Sequence, residues 1–207
     1  MKKVIFIGGA TGSGKTTFTN CLSELLTDSI KYRRVQGFYD LAEERGVKKE
    51  DIYYFVEASD VDKYFVKKVL ENDTLISDIH YAVQMERNDI SGSTGNMYSK
   101  YVPTISNEFI NLLLENDIEI YFIYISCNPA VSFDRALKRF KRGEKELRNN
   151  SIEDITMEIN AEKRVWNNLP DDTKIHKIEL FSDLYLPEEL ANQFVNILNK
   201  KEKVLVR

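Results

Sequence analysis

Val4-Ile5-Phe6-Ile7-Gly8-Gly9-Ala10-Thr11-Gly12-Ser13-Gly14-Lys15-Thr16 is an apolar run leading into the pattern G-x-x-x-x-G-K-T, which spans Gly9 to Thr16. The order predicts a strand, a glycine-rich turn and a helix over about residues 15–26. Glycines let the backbone curl so that successive N–H groups face one centre and form an anion-binding nest. The helix that follows adds the partial positive charge of its N-terminus. The eight residues of the pattern, with Thr17 after them, are therefore the expected site for a nucleoside triphosphate. Lys15 is the expected contact to the β- and γ-phosphates, and the Thr16 hydroxyl the expected ligand of Mg²⁺.

The 207 residues suffice for one α/β domain with a substantial core and are short for two. No uninterrupted apolar stretch approaches the ~20 residues needed to span a bilayer, so no membrane association is expected. The apolar N-terminal run leads into the loop rather than a cleavage site and reads as the first strand, not a signal peptide. Cys21 and Cys127 have no metal-ligand spacing and read as small core residues in a reduced, cytoplasmic setting. The formal net charge of −4 argues against a general nucleic-acid coat. The charge is nevertheless uneven. Arg135, Lys138, Arg139, Lys141, Arg142, Lys145 and Arg148 stand against only Glu144 and Glu146 over residues 135–148.

Strand and helix patterns alternate along the chain, which predicts a mostly parallel sheet covered by helices. Residues 31–35 read as a weak second strand, and 39–45 as a helix closed by Gly46. A helix is expected over 61–71, then a short buried strand over 74–77 that ends at Asp78. Residues 82–103 are polar, contain Ser91-Gly92-Ser93-Thr94-Gly95-Asn96, and read as one long loop. A helix over 104–115 leads to the strand 118–125, and Asn128-Pro129 opens the next helix. Ser151 with Asp154 three residues on marks the start of a helix over 152–167. A strand over 173–180 and a helix over 187–199 complete the domain. The expected organisation is a single domain over 1–200 with an arginine-rich helical lid at about 135–151, and a solvated tail over 201–207.

Phosphoryl transfer needs an oriented metal, a positioned acceptor and neutralised charge on the moving group. Asp78 ends an apolar strand, where its carboxylate is placed to hold Mg²⁺ or orient the acceptor; the alternative is an Asp that caps a turn. His80, two residues on, leaves the chain on the same side and is a candidate substrate contact, or else a structural hydrogen-bonding residue. His176 alternates with apolar residues and reads as structural. The basic segment is either a solvated helix face or a closing lid. As a lid it would bring Arg139 and Arg142 to the transferring phosphate and Arg135 to the nucleotide. Arg33, Arg34 and Asp40 are the remaining candidate acceptor contacts.

These residues together resemble the nucleoside monophosphate kinases, and most nearly the archaeal-type adenylate kinases. The similarity runs through the phosphate-binding loop and Val35-Gln36-Gly37-Phe38-Tyr39-Asp40-Leu41-Ala42. It continues through Asp78-Ile79-His80, Tyr101-Val102-Pro103, and the order of lid and helix near Ile152. The resemblance implies a three-layer α/β fold with a mostly parallel five-stranded sheet, an ATP donor, Mg²⁺, and a monophosphate acceptor held between the helices after the second strand and the lid. Two other classes fit the sequence less well. Asp89-Ile90-Ser91-Gly92 matches the D-x-x-G of switch GTPases, but no apolar strand precedes it and no N-K-x-D occurs. A kinase with a nucleic-acid acceptor would use the basic segment and the long loop for docking, against which the acidic balance argues.

Overall fold

The computed structural model describes residues 2–48, 51, 56–84, 101–144, 149 and 151–205. Its centre is β1 (Lys3–Gly8), whose alternating residues face opposite sides of the sheet. Val4 and Phe6 join Phe65, Leu75, Phe109, Ile120 and Phe122 on one face. Ile5 and Ile7 join Phe18, Leu22, Ile76, Ile123 and Phe194 on the other. Burial on both faces explains why β1 reads as a continuous apolar run.

The parallel sheet has the order β2-β3-β1-β6-β7, with β2 Ser29–Lys31, β3 Thr74–Asp78, β6 Glu119–Ser126 and β7 Ile175–Phe181. Helices α1 (Lys15–Leu25) and α7 (Pro187–Leu205) cover one face. On the other lie α3 (Ala58–Glu71), α4 (Asn107–Glu115) and the C-terminal part of α6 (Ile152–Asn167). Helix α2 (Arg34–Glu44) packs on α3 through Leu41, Ala42 and Val61. Helix α5 (Pro129–Lys141) follows β6. The expected α/β architecture with a parallel five-stranded sheet is the one observed.

Several boundaries differ from the sequence reading. The second strand ends at Lys31, and α2 starts at Arg34 rather than residue 39. The side chain of Gln36 accepts a hydrogen bond from the Arg33 N–H (2.6 Å) at the helix start. Gly37, which interrupts the helical pattern in sequence, lets α2 approach α3: a Cβ there would lie 3.0 Å from Val61 Cγ1. The stretch 82–103 is not loop throughout. Its ends form an antiparallel pair, β4 (Ala82–Gln84) with β5 (Tyr101–Pro103); residues 85–100, including the D-x-x-G match, lie outside the described residues.

The helix expected from residue 104 begins at Asn107, where Ser106 Oγ accepts from the Phe109 N–H (3.2 Å). The last helix continues to Leu205, so residues 201–205 are helical rather than tail. Lys200-Lys201-Glu202-Lys203 are all good helix formers and contain no stop signal. Ser151 caps α6 as expected, accepting from the Asp154 N–H (3.1 Å). Among the described residues no helix is long and apolar enough to cross a membrane.

Candidate active site

The glycine-rich turn leaves the C-terminal end of β1 and enters α1, with Gly9, Gly12 and Gly14 all at positive φ. Gly9 and Gly12 are also fixed by close approach. A Cβ on Gly9 would lie 2.5 Å from the Ile125 carbonyl oxygen, and one on Gly12 would lie 2.1 Å from that of Ser132. Gly12→Ala therefore combines a left-handed backbone with a clash against main chain. The expected cost is about 2–3 kcal/mol, seen as a fall in melting temperature of roughly 5–10 °C by thermal denaturation.

Lys15 is buried and its ammonium donates to the main-chain carbonyls of Gly9 and Ala10, the latter at 3.0 Å. Burial pushes its pKa down to about 8, with partial compensation from Glu162, Glu158 and Asp78 and further depression by Arg139. The loop thus holds a cation at its centre before any anion arrives.

The rest of the site is delivered by the neighbouring strand. Asp78 is paired with Ile7 in the β3–β1 register, so its carboxylate stands beside the start of the loop. Arg33 grips that carboxylate with two hydrogen bonds, one from Nε and one from Nη2 to Oδ2 (2.6 Å). A cleft of about 530 Å³ opens over these groups. Lys15, Thr16, Thr17, Arg33, Asp78, His80 and Arg139 line it, together with the loop backbone. Thr16 and Asp78 bring two hard oxygen donors to the same cleft, the donor chemistry that Mg²⁺ prefers.

Other expected site residues stand elsewhere. Arg34 is committed to Asp62 through Nε, and Asp40 accepts from the Tyr32 hydroxyl (2.6 Å). Both therefore brace α2 and do not line the cleft. Arg142 donates to Glu144 from Nε (2.5 Å) on the solvent side of the α5 C-terminus. Arg135 braces the loop from behind: its guanidinium donates to Ser182 Oγ (3.2 Å) and Ser182 O (2.8 Å), and Ser182 Oγ donates to Ser13 O (2.6 Å). Of the lid cations named from the sequence, Arg139 is in the cleft, and Lys145 and Arg148 lie outside the described residues.

Several residues of the site escaped the sequence reading. Glu158 and Glu162, one turn apart on α6, are buried, with Glu162 fully so. Glu158 Oε1 accepts from the Thr11 N–H (2.9 Å) and the Thr11 hydroxyl (3.0 Å), and Glu158 Oε2 accepts from Asn149 Nδ2 (2.6 Å). Glu162 accepts from the N–H groups of Tyr81 (2.8 Å) and Ala82 (3.2 Å). His80 Nδ1 sits 3.5 Å from Glu158 and 3.4 Å from Glu162. Tyr81 is fully buried, and its hydroxyl lies within hydrogen-bond distance of the carbonyls of Ile123 (2.8 Å) and Phe6 (3.1 Å). That ring occupies the space a Cβ on Gly8 would need, 2.1 Å away. The available signal was two carboxylates four residues apart on the apolar stripe of a helix. His176, by contrast, pairs with Glu119 (2.6 Å) on the sheet, away from the cleft.

Comparison with known proteins places this architecture. No curated protein matches the chain in sequence. Among solved structures, the tunicamycin resistance protein of Deinococcus radiodurans superposes with a TM-score of 0.55 at 12% identity, covering 96% of each chain. A sugar kinase from Janibacter sp. HTCC2649 superposes with a TM-score of 0.50 at 13% identity, covering 96% of this chain and 95% of that one. Shikimate kinase from Acinetobacter baumannii, solved with shikimate, gives 0.51 at 11% identity, covering 96% and 93%. These likenesses establish the fold, a parallel five-stranded sheet with flanking helices shared with proteins described as sugar and shikimate kinases. The family model described as "AAA domain" matches residues 5–156, which holds β1, the glycine-rich loop, Asp78 and the start of α6. The chain belongs to the AAA domain family.

Proposed function

We propose that this protein is an ATP-dependent phosphotransferase that moves the γ-phosphoryl group of ATP to a small acceptor, with nucleotide-like molecules as the first class to test. One observation carries the proposal. Lys15, Arg33, Asp78, His80 and Arg139 converge on a single cleft over the phosphate-binding loop. The structural likeness to proteins described as sugar and shikimate kinases supports a small acceptor. The adenylate kinase-like resemblance of the sequence supports a nucleoside monophosphate among such acceptors.

The chain's own residues supply positioning and charge. Backbone N–H groups of the loop and the N-terminus of α1 receive the phosphates, and Lys15 leaves the loop carbonyls to meet the β- and γ-oxygens. Thr16 and Asp78 would hold Mg²⁺, which when bound neutralises charge on the triphosphate. Arg139 faces the cleft from α5 and stabilises charge on the transferring group, while the segment after α5 acts as the lid that excludes water. Arg33 and His80 line the cleft and hold the acceptor.

The Arg33–Asp78 pair gives the acceptor a role in timing. An anionic acceptor competes for the guanidinium and so releases the Asp78 carboxylate for its own work. Arg33→Ala is expected to lose about 10²-fold in acceptor-dependent kcat/KM while raising acceptor-free ATP hydrolysis. Phosphate release without acceptor, compared with the wild type, checks this. The function itself is tested by coupled ADP release over a panel of nucleosides, nucleoside monophosphates and small hydroxy acids. Turnover that depends on one acceptor and vanishes in a Lys15 variant supports the reading. Turnover that ignores every acceptor and survives loss of Lys15 sinks it.

A further inference from the structure

We propose that Glu158 is a positioning residue for the nucleotide, holding the phosphate-binding loop at Thr11 through one carboxylate oxygen while Asn149 holds the other. The inference rests on the proposed use of ATP by the cleft. A carboxylate on the inward face of α6, beside Ile155 and Ala161, is costly to bury unless every oxygen finds a donor. Glu158 finds them on two separate stretches of chain. Oε1 takes both donors of Thr11, at 2.9 and 3.0 Å, and Oε2 takes Asn149 Nδ2, itself buried, at 2.6 Å.

The neighbouring Glu162 has a different task. Its two donors are the main-chain N–H groups of Tyr81 and Ala82, so it fixes the turn after β3. His80 lies against both carboxylates and links that turn to the loop. The loop needs an external anchor for a simple reason. Three of its glycines, Gly9, Gly12 and Gly14, occupy positive φ and contribute no side chain to stiffen the turn. Thr11 lies between two of them, and Glu158 meets it through both main-chain and side-chain donors. Asn149 stands at the far end of the segment that follows α5, just before the Ser151 cap of α6.

The test is isothermal titration of ATP with Mg²⁺ into the full chain, beside thermal denaturation of each variant. Glu158→Ala is expected to weaken ATP about tenfold or more, because both hydrogen bonds from Thr11 to a charged group are lost together with the one from Asn149. Glu158→Gln keeps a carbonyl oxygen for Thr11 and is expected to stay within about threefold of the wild type. Asn149→Ala is expected to weaken ATP less than Glu158→Ala, and the double variant to bind no worse than Glu158→Ala alone. Glu158→Ala that binds ATP like the wild type while melting earlier would reduce Glu158 to a fold-stabilising residue and overturn the assignment. So would Glu158→Gln as weak as the alanine variant, since charge rather than the Thr11 contact would then matter. If Glu158→Ala does not fold, Thr11→Val replaces it: weaker ATP binding supports the assignment and unchanged binding overturns it. A wild type that fails to bind ATP refutes the phosphotransferase reading instead, so the two failures are distinguishable.

Discussion

Lys15→Met is expected to lower kcat/KM for the phosphotransferase reaction by about 10²–10³-fold, the loss typical of removing one preorganised electrostatic contact. The same substitution is expected to leave the melting temperature unchanged or higher. Burial has depressed the Lys15 pKa from its ordinary 10.5 to about 8, so the folded protein carries the ammonium at a cost. Below pH 8 the group is charged in both folded and unfolded chains, and that cost is fully present. As pH rises from about 8 towards 10.5 the unfolded chain holds the proton and the folded one sheds it, so stability climbs. Methionine keeps the buried stem and removes the charge. The stabilising effect of Lys15→Met is therefore greatest near neutral pH and fades above about pH 8. Steady-state rates with a Tm series across pH 6–10 check both halves. A variant that loses activity only because it unfolds contradicts them.

Asp78→Asn is expected to reduce kcat about 10²-fold or more with a smaller change in the KM for ATP, because the amide retains size and one acceptor oxygen but not the charge. Stability is expected to change little. Arg33, the partner of Asp78, is half exposed, and a pair of this kind contributes about 1 kcal/mol or less. Kinetics against both substrates, beside denaturant unfolding, separate the two effects. Equal loss in the asparagine and alanine variants would show that charge is what Asp78 supplies. Full activity in Asp78→Asn would remove Asp78 from the mechanism.

The parts of the site legible in sequence were those carried by local patterns. The phosphate-binding loop announces itself through spacing, and Asp78 through its place at the end of a buried strand; the register with Ile7 then brings them together. The parallel sheet followed from the alternation of strands and helices, whereas its order, β2-β3-β1-β6-β7, came from the structure. What local pattern could not reveal were pairings made across the chain. Arg33 meets Asp78 over 45 residues, and Glu158 meets Thr11 over 147. Arg34 and Asp40 looked like acceptor contacts because charge near the second strand is suggestive. Their partners, Asp62 and Tyr32, are fixed only once α2 lies on α3 and β2. The buried glutamates of α6 were readable in principle as charges on an apolar stripe, but their donors lie on the turn after β3, on the phosphate-binding loop and at Asn149.

The central claim is transfer of the terminal phosphoryl group to a second molecule, and following that group tests it most directly. ATP labelled in the γ-phosphate is incubated with Mg²⁺, the protein and each candidate acceptor in turn. Label is then traced among ATP, inorganic phosphate and acceptor. The account predicts that label moves to one class of small anionic acceptor, in amounts equal to the ADP formed, with little free phosphate. Label that appears only as inorganic phosphate, at a rate no acceptor changes, would contradict it.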